Sequence, residues 1–289
     1  MNSGPLVVIV GPTASGKSSL AMRLAQEFDG EIISADSRAV YRTLDIGTAK
    51  PTIEDMRLVR HWGVDLVNPG ERFTAADFQL HAREAIADIR SRGRIPLLVG
   101  GTGLYVNSII YDYQFPPERP ELRSKFDNWT VEQLKNYCTH NNIKLPHNYN
   151  NPRHLIDAIV RDGDHPKSSD SPVVNTLIVG ITTERDTLRQ RIAARADQFF
   201  ASNVLDEARR AGDTYGWDSE SMTGNIYPIL HRLIDGEITI DSAKELFRIS
   251  DWQLAKRQLT WFRRDANVRW LPPAEAYTYL ARELAKTNK

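Results

Sequence analysis

The run LVVIVGPTASGKSSLAMRLAQEF, residues 6–28, constrains the fold more than any other part of the chain. Five apolar residues read as a buried strand. The octet Gly11–Ser18 fits the pattern G-x-x-x-x-G-K-[ST], and the residues after it carry apolar side chains at helical spacing. A strand, a glycine turn and a helix in that order build an anion site. Gly11 and Gly16 let the backbone through Pro12, Thr13, Ala14 and Ser15 curl so that its N–H groups face one phosphate. Lys17 adds a positive charge, the helix adds its N-terminal dipole, and Ser18 can ligate Mg²⁺. Such a loop takes a di- or triphosphate and is silent on what is attached to it.

Further strand-like runs follow at EIISA (31–35), RIPLLVG (94–100) and VVNTLIVGI (173–181), with helical patterns between them. TAADFQLHAREAIADIRSRG is one such pattern, closed by Gly93, and Thr183 and Asp186 have the spacing of a capping box ahead of the next. This alternation predicts an α/β fold, a P-loop NTPase-like parallel sheet flanked by helices. The core's first part spans residues 1–112. Residues 113–172 break the rhythm with prolines, asparagines and no strand-like run, and read as a mainly helical insertion with a loose tail near 163–172. Residues 173–264 return to the core, wholly helical after 184, and 265–289 form a C-terminal tail whose end frays.

Thirty-seven basic residues balance thirty-seven acidic ones, which argues against a broad electrostatic grip on nucleic acid but leaves room for a local basic patch. One cysteine, Cys138, allows no internal disulfide and fits a reducing, cytoplasmic setting. The N-terminus runs into its first strand without a signal-peptide pattern, and no apolar run approaches the roughly 18 residues of a membrane span. A soluble monomer is the expectation.

Asp36 follows the second strand, at the edge where parallel sheets bind ligands. A carboxylate there can take a proton from a nucleophile, hold magnesium through water, or cap a turn. The segments GPTASGKS, ADSRAVYRTLDIGTAKP, HWGVDLVNPGERFTAADF, GRIPLLVGGTGLYV and AKRQLTWFRR resemble successive signatures of the tRNA dimethylallyltransferases (tRNA isopentenyltransferases). They occur in the family's order from residue 7 to about 264, and LDIGTAKP followed by GGTGLY is far more specific than the loop alone.

The resemblance implies transfer of a dimethylallyl group from dimethylallyl diphosphate to the exocyclic amine of an adenine beside a tRNA anticodon. The loop then holds a diphosphate leaving group with Mg²⁺, not ATP. Lys17 stabilises the leaving oxygens, Thr13 lies near the bridging oxygen, and Asp36 accepts the amine proton and helps position the base. Ser37 and Thr102 match tRNA-contacting positions, although as residues alone they also suit a turn and a helix cap. Arg38, Ala39, Arg123, Arg153, Lys256 and Arg257 complete the set assigned to tRNA.

Lys256 and Arg263 are seven apart, as are Arg257 and Arg264, predicting a basic stripe beside Gln258, Trp261 and Phe262 that suits RNA phosphates or plain solvation. Arg191 and Arg195 read as ion-paired surface residues. His61 reads as a structural hydrogen-bonding group, with no ligand partners at metal spacing.

Three departures from the family stand out. Ala39 replaces a glutamine; His154 and Asp157 stand where the family carries arginines; and Ile226 and Pro228 replace a glycine and a basic residue beside the retained Tyr227, with Arg232 one helical turn away as a substitute cation. The changes at Asp157 and Pro228 favour one alternative, a binding homologue that has lost its chemistry; a prenyltransferase acting on free adenine nucleotide and a small-molecule kinase are the other two alternatives.

Overall fold

The computed structural model describes residues 4–117 and 120–287. Two compact units arise, one from residues 1–110 with 172–289 and one from Tyr111–Ser171.

In the larger unit, strands β1 (Leu6–Val10), β2 (Gly30–Ala35), β3 (His61–Trp62), β4 (Ile95–Gly100), β5 (Thr176–Ile181) and β6 (Arg269–Leu271) form one sheet in the order β3-β2-β4-β1-β5-β6. Every pairing is parallel. Between the strands run α1 (Lys17–Glu27), α2 (Ile53–Leu58), α3 (Ala75–Ser91) and α4 (Gly103–Ile110). The smaller unit contributes α5 (Pro120–Arg123), α6 (Val131–His140) and α7 (Pro152–Val160). After β5 come α8 (Arg185–Phe200), α9 (Val204–Tyr215), α10 (Tyr227–Ile234), α11 (Ile240–Phe262) and α12 (Pro273–Thr287).

The central strands are apolar on both faces because helices cover both, and Val7, Val8, Ile9 and Val10 are fully buried. Val10 pairs with Gly100 on one side and Gly180 on the other, and Gly100 also pairs with Ala35. The C-terminal ends of four strands therefore lie level, and the loops leaving them converge. This is the edge at which a parallel sheet binds ligands.

Three expectations about the core are corrected. The fourth strand-like run becomes β5, which begins at Thr176, not Val173: Asn175 has a left-handed backbone (φ 60°) that turns the chain, and Val174 is exposed. Residues beyond 184 are not all helical, and 265–287 are not a loose tail. β6 extends the sheet, and α12 sends Ala276, Leu280 and Leu284 at four-residue spacing into the main core beside Leu20, Leu24 and Val179. The last two residues of the expected tail lie outside the described residues. Finally, Thr183 forms no capping box: Glu184 is the N-cap of α8, and the Thr183 hydroxyl donates to Ser15 O at 3.4 Å.

The smaller unit has its own core of Phe126, Leu134, Cys138, Ile143, Leu155, Ile156, Ile159 and Val160. Its closing segment is not loose. Gln114 and Lys167 exchange two backbone hydrogen bonds, and Ser169 N donates to Tyr111 O at 2.8 Å. Asp157 pairs with Arg123, so the acid standing where the family carries an arginine meets a cation inside this unit. Arg153 is exposed at the start of α7.

Candidate active site

The loop after β1 wraps the start of α1. Gly16 caps that helix at φ 92°, a left-handed conformation that favours glycine, and Ala14 takes φ 60° beside it. Lys17 Nζ folds back to donate to Pro12 O at 3.1 Å. The loop borders a cavity of about 620 Å³. Thr13, Ala14, Lys17 and Ser18 of the loop line it, with Asp36, Ser37, Arg38 and Ala39, leaving β2, and Thr102 from the β4 turn. Gly11, Pro12, Ser15 and Gly16 carry the loop's backbone but do not line this cavity. Ser15 is fully buried.

Asp36 does two things at once. Its Oδ1 accepts from Arg38 N at 2.8 Å, which is the turn role the residue type suggests. Its Oδ2 has no hydrogen-bond partner among the described residues, and the side chain lines the cavity. Thr102 does not cap α4 with its hydroxyl. That oxygen instead accepts from Ser37 N at 3.0 Å and donates to Ser37 Oγ, while Thr102 N donates to Ala35 O at 3.1 Å. The β2 and β4 turns are thus fastened to each other directly beneath Asp36.

Glycines in GGTG permit close approach from α11. A Cβ at Gly101 would lie 2.2 Å from Gln258 Nε2, and one at Gly103 would lie 2.3 Å from the Trp261 ring. Gln258, which the spacing sets beside the basic stripe, is turned inward, and its Oε1 accepts from Thr13 N at 2.7 Å.

Arg191 and Arg195 are not remote surface pairs. Arg191 donates to Ser15 O at 3.1 Å, and Arg195 donates to Thr13 Oγ1. Arg195 also stands 3.6 Å from the buried Asp251, whose side chain lines the cavity. Sequence spacing gives no hint of this, because α8 and the loop are about 180 residues apart. Only the strand order brings β5, and α8 after it, beside β1. Burial pulls the Lys17 amine down to about 8; Arg195 pushes the same way, while Asp36 and Asp251 oppose it.

Pro228 is exposed on the first turn of α10 and Arg232 is bound to Glu237 at 3.1 Å. Neither lines the cavity, so Arg232 does not substitute for the missing base there. His61 Nδ1–H donates to Val59 O at 2.9 Å, and the ring also lines the cavity near Asp55. A shallower depression is lined by Gln253, Lys256, Arg257, Thr260, Trp261 and Arg264. Arg263, expected on the same stripe, follows the last helical residue and lies over the Trp270 ring at 6.0 Å. Phe262 is core. Arg257 borders both the depression and the cavity.

Residues 39–265 match the family model described as IPP transferase, and residues 4–65 match one described as isopentenyl transferase. The chain belongs to the IPP transferase family. It is similar to the tRNA dimethylallyltransferase of Halalkalibacterium halodurans, 38% identical over 92% of this chain and 90% of that protein. It is also similar to the tRNA dimethylallyltransferase of a Roseiflexus species, 39% identical over 93% of each. The crystal structure of the full-length tRNA isopentenylpyrophosphate transferase of Bacillus halodurans superposes with a TM-score of 0.75 at 35% identity, over 98% of both chains. The family's likeness therefore spans both units and the ordered C-terminal helix.

Proposed function

We propose that this chain transfers a dimethylallyl group from dimethylallyl diphosphate to the exocyclic amine of the adenine adjoining a tRNA anticodon. The observation that carries the reading is that one cavity is lined both by residues of a phosphate loop and by Asp36, a carboxylate with one oxygen that no protein donor occupies among the described residues. The names of the relatives and the family signatures LDIGTAKP and GGTGLY support the same reading.

In the reaction the allylic carbon–oxygen bond breaks as a carbon–nitrogen bond forms. The amine proton passes to Asp36, and diphosphate leaves with the bonding electrons. Lys17 and the Thr13 hydroxyl, both on the cavity wall, serve the departing oxygens, where negative charge grows. Arg195 holds the Thr13 hydroxyl in place and adds a second cation to the loop.

The described residues contain no cluster of three or more His, Cys, Asp or Glu suited to a metal ion. In the manner of other phosphate-loop sites, the Ser18 hydroxyl, which lines the cavity, would hold a Mg²⁺ ion. Bound there, it would neutralise charge on the leaving group.

The exposed Lys256, Arg257 and Arg264 around Trp261 suit tRNA phosphates, with Trp261 offering a stacking face. Arg257 continues this surface to the cavity mouth, where Ser37, Arg38, Ala39 and Thr102 meet the entering base. Arg123, also assigned to tRNA from the resemblance, is engaged by Asp157.

The test is label transfer: purified protein, Mg²⁺ and labelled dimethylallyl diphosphate with unmodified tRNA or with AMP. Label in tRNA is expected. Label in AMP alone would mean a nucleotide prenyltransferase, and label in neither, with donor still bound, a binding protein without chemistry.

A further inference from the structure

The run LDIGTAKP is the most specific signature in the chain, yet its residue types suggest no chemistry. Its backbone supplies one. Three successive N–H groups, of Asp45, Ile46 and Gly47, converge on a single buried carboxylate, Glu207 of α9. Oε2 accepts from Asp45 N and Ile46 N, both at 2.7 Å, and Oε1 accepts from Gly47 N at 2.9 Å. The fourth donor is the Tyr227 hydroxyl, at 2.8 Å to Oε1. The loop is an anion-binding nest, and its anion comes from within the chain.

The nest reaches the cavity in two ways. Gly47, Thr48, Ala49, Lys50 and Pro51 form part of the cavity wall, and so does Tyr227. A Cβ at Gly47 would sit 2.7 Å from the Tyr227 hydroxyl, so glycine is what lets the ring lie against the loop. The far side of the same loop is held independently. Lys50 Nζ bridges Tyr41 O, Asp45 and Asp65, and Thr48 Oγ1 donates to Leu44 O.

We propose that Glu207 is a positioning residue for the transfer reaction, clamping the 45–47 nest and Tyr227 into the wall of the cavity that the phosphate loop also lines. The proposal rests on the function proposed above. Glu207 itself touches neither donor nor acceptor. Through Gly47 and Tyr227 it sets the width of the space in which the allylic carbon meets the amine. Four donors need a full carboxylate: a glutamine oxygen can serve two of them, and its amide NH₂ would face the others.

The test uses the full chain with Glu207→Gln, and Tyr227→Phe as a milder second variant that removes one donor. Three quantities are read: amide exchange at residues 45–47, affinity for inorganic pyrophosphate, and kcat for transfer well below each variant's melting temperature. Glu207→Gln is expected to speed exchange at 45–47 by about tenfold or more while the β1 amides stay protected. It should lower kcat about 10- to 100-fold with pyrophosphate affinity within about twofold of wild type. Tyr227→Phe should fall between.

Unchanged exchange at 45–47 would overturn the clamp. An unchanged kcat would overturn its role in the reaction, and loss of pyrophosphate affinity in step with kcat would show that Glu207 supports the fold generally. If wild type itself transfers no label, the proposed function fails, and the proposal, which rests on it, fails too; the exchange readout then says only whether the clamp exists.

Discussion

Strand β2 carries a carboxylate at each end, and the two could hardly differ more. Glu31, at the start, is fully buried and saturated. Arg92 binds both its oxygens, Arg94 donates at 2.9 Å, and the Trp62 indole donates at 2.8 Å. Burial alone would raise its pKa, yet these donors outweigh burial and hold it at about 2. Asp36, five residues on, has one backbone donor and one oxygen left open to the cavity. Saturation makes a carboxylate structural; a spare lone pair beside a cavity leaves it available for chemistry. Glu207 is the instructive intermediate, saturated like Glu31 but placed behind the cavity wall like a brace.

Substitution at the two ends of β2 should separate these roles. Asp36→Asn is expected to lower kcat by about 10³-fold, roughly 4 kcal/mol, with the melting temperature barely moved. Turnover near wild type would hand the proton to another group. Glu31→Gln should do the reverse, costing about 3 kcal/mol of stability in denaturant titration while the folded fraction retains its kcat. Stability from Glu31 is fully present above its unfolded pKa and lost as pH falls from about 4.5 towards 2, because its folded pKa is depressed. The variant should show a flatter acid limb across that window, and an unaltered limb would remove Glu31 as its source.

Smaller effects sharpen the picture of the cavity. With Lys17 pulled down to about 8, pyrophosphate affinity should weaken as pH rises past that value, by up to about tenfold per unit, with proton uptake on binding. An affinity flat from pH 7 to 9 would contradict it. Reversing Arg257 and Arg264 to glutamate should raise the tRNA KM most at low salt and lower the salt slope by about 1.5. No change at low salt would mean the depression around Trp261 is only a solvated face.

Much of this contrast was readable before the fold was known. The strand, glycine turn and helix around Gly11–Ser18 are local, and so is the placement of Asp36 at a strand end. What escaped was long-range. Arg195 and Gln258 look like ordinary surface residues of amphipathic helices, and only the β1–β5 adjacency and the missing side chain of Gly101 bring them to Thr13. β6 is three residues long, too short for period-two alternation to register. The spacing of Ala276, Leu280 and Leu284 was legible, but the polar residues between them masked a core helix. Pro228 shows the opposite error: a substitution alarming in sequence lies on an exposed helical turn.

If the loop holds the diphosphate while Asp36 serves the chemistry, the two separate in calorimetry of dimethylallyl diphosphate binding to wild type, Lys17→Ala and Asp36→Asn. Asp36→Asn is expected to bind within about threefold of wild type, and Lys17→Ala about 10- to 100-fold more weakly. Equal loss in both variants, or full affinity in Lys17→Ala, would take the diphosphate away from the loop.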